Sequence, residues 1–309
     1  MFYLVTGGAG FIGSNLSEEL LKRGNRVRII DNLSTGKEEN LSGFISDVEF
    51  MNGDIRDLDA VKKAVIGVDC ILHQAALPSV PRSVAEPIES NKTNIDGTLN
   101  VLIAARDEGV KRVVMASSSS VYGNSETLPK TETMVPNPLS PYAITKYTGE
   151  RYAKVFYDIY GLETVALRYF NIFGPKQDPN SQYSAAIPKF IKSIISDESP
   201  VIYGDGEQSR DFTYVDNAVE ANILAAVSEK VGHGETINIA CGETTTLNQL
   251  VNMINTALGK EVKSVYKEAR KGDVRNSLAD IHLAQSLLGY KVKVNMEEGL
   301  RKLLKNIKG

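Results

Sequence analysis

Thr6-Gly7-Gly8-Ala9-Gly10-Phe11-Ile12-Gly13 joins an apolar run, Phe2–Thr6, to an amphipathic stretch, Phe11–Lys22. The run reads as a strand and the stretch as a helix. Glycine at positions 7 and 10 permits a tight turn between them. It also lets backbone N–H groups, those of Phe11 and Ile12 among them, come close to a pyrophosphate. The unpaired amides and the positive dipole end of the helix would then hold that anion. Gly13 allows close packing of the helix on the sheet. A second apolar run, Val27–Asp31, ends in a carboxylate. An acid at this place accepts hydrogen bonds from a ribose 2′-hydroxyl and repels a 2′-phosphate, which points to NAD rather than NADP.

Outward from that loop, short apolar runs alternate with amphipathic stretches. Strands are expected at Phe2–Thr6, Val27–Asp31, Val48–Asn52, Cys70–His73, Arg112–Ser117 and Thr164–Tyr169. Helices are expected at Phe11–Lys22, Leu58–Val65, Asn94–Glu108 and Tyr142–Tyr160. Such alternation implies right-handed crossovers and a Rossmann-type, doubly wound parallel sheet. After Phe173 the turn-rich Gly174-Pro175-Lys176-Gln177-Asp178-Pro179-Asn180 breaks the rhythm. We expect a nucleotide-binding domain over residues 1–175 and a smaller α+β substrate-binding lobe over 176–309, with segments near 212–240 returning to the first domain.

Composition narrows the function classes. The chain has 309 residues, 42% hydrophobic and 24% charged, which is globular and not disordered. Its net charge of -3 lacks the basic excess that nucleic acid or an anionic membrane surface would call for. Two cysteines cannot make a disulfide framework, and three scattered histidines do not make a zinc site. No apolar run approaches membrane-spanning length, and the chain opens on a strand without a basic leader. A cytoplasmic protein without metal is the expectation.

Tyr142-Ala143-Ile144-Thr145-Lys146 places a phenol and an ammonium four residues apart, on one helix face and about 6 Å apart along its axis. A free tyrosine, with its pKa near 10, is a poor base at neutral pH. A fixed ammonium nearby and the positive nicotinamide of NAD⁺ would favour the phenolate, and reaching pH 7 takes about 4 kcal/mol of preferential stabilisation. A half-buried tyrosine beside a solvated lysine is the plain alternative. Downstream of a dinucleotide loop, the acid/base reading prevails. Ala116-Ser117-Ser118-Ser119-Ser120 follows the fifth strand, at the end where parallel sheets place ligands. Its hydroxyls can relay a proton to Tyr142.

The Gly7, Gly10, Gly13 spacing and the Tyr142/Lys146 pair resemble the extended short-chain dehydrogenase/reductase family, whose epimerase/dehydratase branch uses NAD. The resemblance implies catalytic roles for Tyr142, Lys146 and Ser118. It implies cofactor contacts from Asp31, Asn32, Ser34, Thr35, Gly36, Asp54, Ile55, Gln74, Ala75, Ala76, Asn94, Ser117 and Tyr169, besides the glycine loop, Tyr142 and Lys146. The family's dehydratases carry Thr-Asp-Glu at the positions of Ser118-Ser119-Ser120, and the decarboxylating members keep a Glu at 120. This chain has a carboxyl at none of the three, so it lacks that acid/base for eliminating water. Reversible oxidation remains, as epimerisation at C4 needs.

The chain thus resembles UDP-hexose 4-epimerases, UDP-glucose and UDP-N-acetylglucosamine types alike. The resemblance implies that Asn171, Tyr203, Arg210, Arg270 and Asp273 hold the UDP moiety and sugar, together with Val80, Ser118, Ser119, Ser120, Tyr142 and Ile187. Two arginines on a diphosphate would give forked, charge-assisted contacts. Pro78 replaces a lysine common in the family, and Ala185 replaces an Asn of galactose-type members. Ser277 stands where galactose-only bacterial members carry a bulky Tyr, leaving room for an N-acetyl group. Val80-Pro81-Arg82-Ser83 resembles the GlcNAc-active subgroup. Turnover of UDP-GlcNAc/UDP-GalNAc alongside UDP-glucose/UDP-galactose is therefore expected. The family's helices matching Asn94–Glu108 and Tyr142–Tyr160 imply a homodimer. A cofactor-exchanging 4-ketoreductase or dehydrogenase of the same family is one rival reading. A non-catalytic NAD sensor, which would commonly lose the Tyr/Lys pair, is another.

Overall fold

The computed structural model describes residues 1–178, 186–269 and 274–308. Six strands follow one another through the first half: β1 (Phe2–Thr6), β2 (Arg26–Asp31), β3 (Glu49–Asn52), β4 (Cys70–His73), β5 (Arg112–Ser118) and β6 (Glu163–Tyr169). Three short strands, β7 (Ile172–Phe173), β8 (Val201–Tyr203) and β9 (Ser209–Arg210), precede β10 (Thr213–Tyr214). Then come β11 (His233–Ile239), β12 (Thr245–Thr246) and β13 (Val265–Lys267). The main sheet has seven strands in the order β11-β6-β5-β4-β1-β2-β3, every pair parallel. The remaining short strands pair two by two, β7 with β10, β8 with β13 and β9 with β12.

The middle strands are largely apolar because helices cover both faces. Every residue of β1 and of β4 is buried. The helices are α1 (Phe11–Lys22), α2 (Leu58–Val65), α3 (Val80–Ala85), α4 (Pro87–Asn91), α5 (Gly97–Asp107) and α6 (Pro141–Tyr160). After them come α7 (Ala186–Ile195), α8 (Val215–Val227), α9 (Leu247–Leu258), α10 (His282–Leu288) and α11 (Met296–Lys308). The core formed around α1 and α8 runs on without a break into Phe190, Leu250 and Leu300 of the second half. A second core, between the sheet and α2 and α5, holds Leu4, Ile71, Val101 and Val113.

Local chemistry sets the ends of the elements. Ser140 caps α6 by accepting the Ala143 N–H at 3.1 Å, Pro141 opens the helix, and Gly161 ends it at a left-handed φ of 70°. Two differences from the sequence reading stand out. The stretch expected as one helix over Asn94–Glu108 begins as a π-type turn, Lys92–Asp96, before α5. Two short helices, α3 and α4, also fill the loop after β4, where polar composition concealed them. Beyond the turn-rich break β11 pairs with β6 in the main sheet, and α8 lies against α1. Cys70 and Cys241 are free and buried. No helix among the described residues is long and apolar enough to cross a membrane.

Candidate active site

The strand order reverses about β1, whose neighbours are β2 and β4, and this opens a crevice at the strands' C-terminal ends. The glycine loop fills one wall of it. Gly7 has a φ of 68°, and a Cβ there would stand 2.7 Å from the Ala75 backbone. A Cβ on Gly13 would stand 2.2 Å from the Gly7 carbonyl oxygen. Gly10 caps α1 with no side-chain hydrogen bond, so the first amides of that helix, Phe11 and Ile12 among them, have no side-chain cap. At the rim the buried Asp31 carboxylate accepts N–H bonds from Ala9 at 3.0 Å and Leu33 at 2.8 Å. Burial raises its pKa, and those two bonds pull it back. Its remaining lone pairs suit ribose hydroxyls. Gly36 packs against the same carboxylate, which a Cβ would approach to 2.9 Å. This cradle fits a dinucleotide.

Further along, Asn32 donates to Asp54 at 2.8 Å, and Arg56 clasps the same carboxyl, lowering its pKa to about 2. Ser34 and Thr35 are exposed beside it, and Ile55 is buried below. The floor after β4 is held by a relay. Ala75 N–H donates to Thr6 Oγ1 at 3.2 Å, and that hydroxyl meets His73 Nδ1 at 2.7 Å. His73 Nε2 meets Thr98 Oγ1 at 3.0 Å, and Thr98 donates to the Asn94 carbonyl at 2.7 Å. Because the Thr98 proton is committed, Nε2 carries the imidazole proton and Nδ1 accepts from Thr6. Ala76 is partly exposed in the same loop. Asn94 gives its side chain wholly to the protein, accepting from Leu77 N–H and donating to Leu77 O and Thr145. The Tyr169 hydroxyl donates to Gln74 at 3.0 Å and accepts from Asn222 at 2.7 Å, while Gln74 also donates to Asn222. Burial pushes the Tyr169 phenol up to about 12.

Tyr142 and Lys146 share the inner face of α6, with Lys146 Nζ 6.0 Å from the Tyr142 ring centre. Each keeps some exposure at the cleft mouth while its polar end lies deep among protein atoms. Burial raises the Tyr142 phenol above its ordinary value, and a hydrogen bond from Ser118 works against that rise. Burial lowers the Lys146 ammonium to about 8, opposed by the nearby Glu150 carboxylate, and Nζ donates to the Ala116 carbonyl at 2.9 Å. The Ser118 hydroxyl accepts from both the N–H and the hydroxyl of Ser120, which leaves its proton for the phenol. Ser119 opens the short helical turn that follows. Ser83 Oγ accepts the Tyr142 N–H at 3.0 Å, so the helix opened by Val80 anchors the start of α6.

Two residues past Tyr169, which pairs with Ser118 in the sheet, the chain enters the lining of a cavity of about 290 Å³. Asn171, Ile187, Tyr203 and Arg210 line it, with Lys189, Gln208 and Phe212 among the others. The Asn171 amide donates to the Asp211 carbonyl at 3.0 Å. Ser277 donates its N–H to Ser209 O at 3.1 Å, next door to Arg210. Arg270, Asp273 and Ala185 lie outside the described residues. Lys189, Asn222 and Glu150 escaped the sequence reading. Glu150 alone left a signal, four residues beyond Lys146.

Residues 3–240 match the NAD-dependent epimerase/dehydratase family. The chain belongs to that family. A UDP-N-acetylglucosamine 4-epimerase of Methanobrevibacter ruminantium M1, solved with UDP-N-acetylmuramic acid, is 45% identical with a TM-score of 0.94 over 99% of this chain and 97% of its own. A UDP-glucose 4-epimerase of Thermotoga maritima, solved with UDP-glucose, is 39% identical with a TM-score of 0.94 over 100% and 99%. A UDP-glucuronic acid 4-epimerase of Bacillus cereus, solved with UDP-glucuronic acid and NAD, is 33% identical with a TM-score of 0.92 over 100% and 99%. This family member is thus a Rossmann-type, NAD-dependent enzyme of the UDP-sugar epimerase group.

Proposed function

We propose that the protein interconverts UDP-hexoses epimeric at C4, acting on UDP-glucose/UDP-galactose and on UDP-GlcNAc/UDP-GalNAc. One observation carries the reading. The turn that meets Tyr142 offers hydroxyls at Ser118, Ser119 and Ser120 and no carboxyl, so the site moves one proton reversibly and has no second acid/base there to expel water or assist loss of CO₂. The glycine cradle, Asp31 and the loop after β4 would hold NAD, and Tyr169 and Lys146 would face its nicotinamide half. When bound, NAD supplies the reversible oxidation of C4 to a ketone. Tyr142, as phenolate, takes the 4-hydroxyl proton directly or through Ser118. It returns that proton after the sugar has turned its opposite face. Asn171, Tyr203 and Arg210, with Arg270 and Asp273, would hold the UDP moiety through that turn.

The N-acetyl reading rests on the small side chain of Ser277 beside Arg210. The dimer reading rests on the outer face of α6 and the neighbouring α3 and α4. There Ile88 is 68% exposed, Ile159 67%, Val84 64% and Ile144 50%. Sedimentation should give twice the mass of one chain. The functional test is to offer UDP-glucose, UDP-GlcNAc and UDP-glucuronate separately and resolve the product sugars. C4 epimers of the first two, formed without net change in reduced nicotinamide, support the reading. Stoichiometric cofactor consumption would replace it with a ketoreductase, and turnover of UDP-glucuronate alone would overturn the substrate assignment.

A further inference from the structure

Tyr142, Lys146 and Glu150 follow one another at four-residue spacing along the inner face of α6, about 6 Å per step. Glu150 is 3% exposed, and it is fully engaged. Arg168 on β6 grips it with a two-pronged fork, Nε to Oε1 at 2.8 Å and Nη2 to Oε2 at 2.7 Å. Ser117 on β5 donates its hydroxyl to Oε1 at 2.5 Å. The third arm of the guanidinium reaches the Tyr122 hydroxyl at 2.9 Å. Helix and two strands therefore meet on one buried carboxylate directly beneath the acid/base pair.

We propose that Glu150 is a positioning residue of the active site: fixed by Arg168 and Ser117, it supplies the negative charge that keeps the neighbouring Lys146 ammonium charged and on the Ala116 carbonyl. The proposal rests on the reading of Tyr142 and Lys146 given above. The groups around the ammonium leave that task to Glu150. On β4, His73 is buried and neutral, its pKa lowered to about 3. On β6 stands the cation of Arg168, and on the turn after β5 the hydroxyl of Tyr122, whose pKa burial raises. On α6 itself, the Tyr142 phenol is also raised by burial. Glu150 is the group whose charge opposes the desolvation of Lys146. Replacing it with an amide would leave two cations, Lys146 and Arg168, buried together.

The direct readout is the protonation of Lys146, followed by lysine-labelled NMR in the NAD-loaded protein and assigned by the signal lost in Lys146→Met. In the wild type the midpoint is expected below the ordinary lysine value, at about 8 before the cofactor's own charges are added. In Glu150→Gln it should fall by about one pH unit, and Glu150→Asp should recover part of the shift. The alkaline limb of the turnover profile should follow the NMR midpoint in each variant. Should Glu150→Gln not fold, Glu150→Gln/Arg168→Met removes the stranded cation and carries the same comparison. A folded variant whose Lys146 midpoint equals that of the wild type overturns the proposal and leaves Glu150 a staple between α6 and the sheet. Failure of the wild type to epimerise any UDP-sugar would sink the functional reading but leave the NMR comparison standing.

Discussion

Acid should loosen the floor of the cleft through one side chain, His73. It is 4% exposed and sits between Thr6 and Thr98 as a neutral imidazole that accepts at Nδ1 and donates at Nε2. Protonation would turn Nδ1 into a second donor facing a hydroxyl already oriented to donate, and would bury a charge near the Lys146 ammonium. Burial first, then Lys146, brings the pKa down from 6.5 to about 3. The sign follows from linkage. A depressed pKa means that the unfolded chain takes up a proton which the folded chain refuses. The stability it provides is complete above pH 6.5 and is lost as the pH falls toward 3. Between pH 7.5 and pH 5 this one group accounts for a loss of about 2 kcal/mol.

Other acids buried with raised pKa, Asp211 at about 6 among them, act in the opposite direction over part of this range. A wild-type profile alone would therefore mix the two. The assay is urea unfolding at pH 7.5 and pH 5 for the wild type and for His73→Asn, which cannot take up the proton. The wild type should lose about 2 kcal/mol more than the variant across that interval, whatever the variant's starting stability. Equal losses, to within about 0.5 kcal/mol, would refute the neutral, trapped imidazole and with it the relay that ties Ala75 to Asn94.

Tyr142→Phe should retain fold and NAD content yet lose at least about 100-fold in turnover, as read by product sugars. Gly13→Ala places a Cβ 2.2 Å from one backbone atom and 2.8 Å from another, so the loop must shift; the melting temperature should fall by the equivalent of about 1–3 kcal/mol, with NAD lost from the purified protein. Ser277→Tyr should cut kcat/KM for UDP-GlcNAc by about 10-fold or more while sparing UDP-glucose, and an equal effect on both would remove Ser277 from substrate selection. The phenolate absorbance of Tyr142, taken as wild type minus Tyr142→Phe, should appear at higher pH in cofactor-stripped protein than in NAD-loaded protein.

The fold was legible because its signals are local and periodic. β1, β4, α1 and α2 begin and end at the residues the hydrophobic pattern marks. The π-type turn at Lys92–Asp96 was not legible, since its hydrophobic period differs little from that of a helix. Nor were α3 and α4, two short helices whose stability comes from packing on α6. The site was legible where spacing carries the chemistry, as at Tyr142 and Lys146. It was illegible where partners come from distant elements. Nothing in the sequence near Glu150 announces Arg168, eighteen residues on, and nothing near Gln74 announces Asn222.

The sequence argument assigned the lowering of the Tyr142 phenol to Lys146 and the positive nicotinamide together, and the geometry adds Ser118 and Glu150 to them. The ammonium lies 6.0 Å from the ring centre and already donates to the Ala116 carbonyl, while burial alone raises the phenol and lowers the amine. Left to desolvation, the two groups would drift toward a neutral phenol and a neutral amine, leaving no phenolate to take the sugar's proton. Three features resist that drift, each from a different place. Ser118 donates to the phenol oxygen, Glu150 holds the charge on Lys146, and oxidised nicotinamide brings a positive charge of its own when NAD is bound. The share of Tyr142 present as phenolate is then greatest when the oxidant is present and least when it is absent. Deprotonation of the sugar hydroxyl and oxidation of its carbon are thereby coupled by electrostatics, without any requirement for a conformational gate.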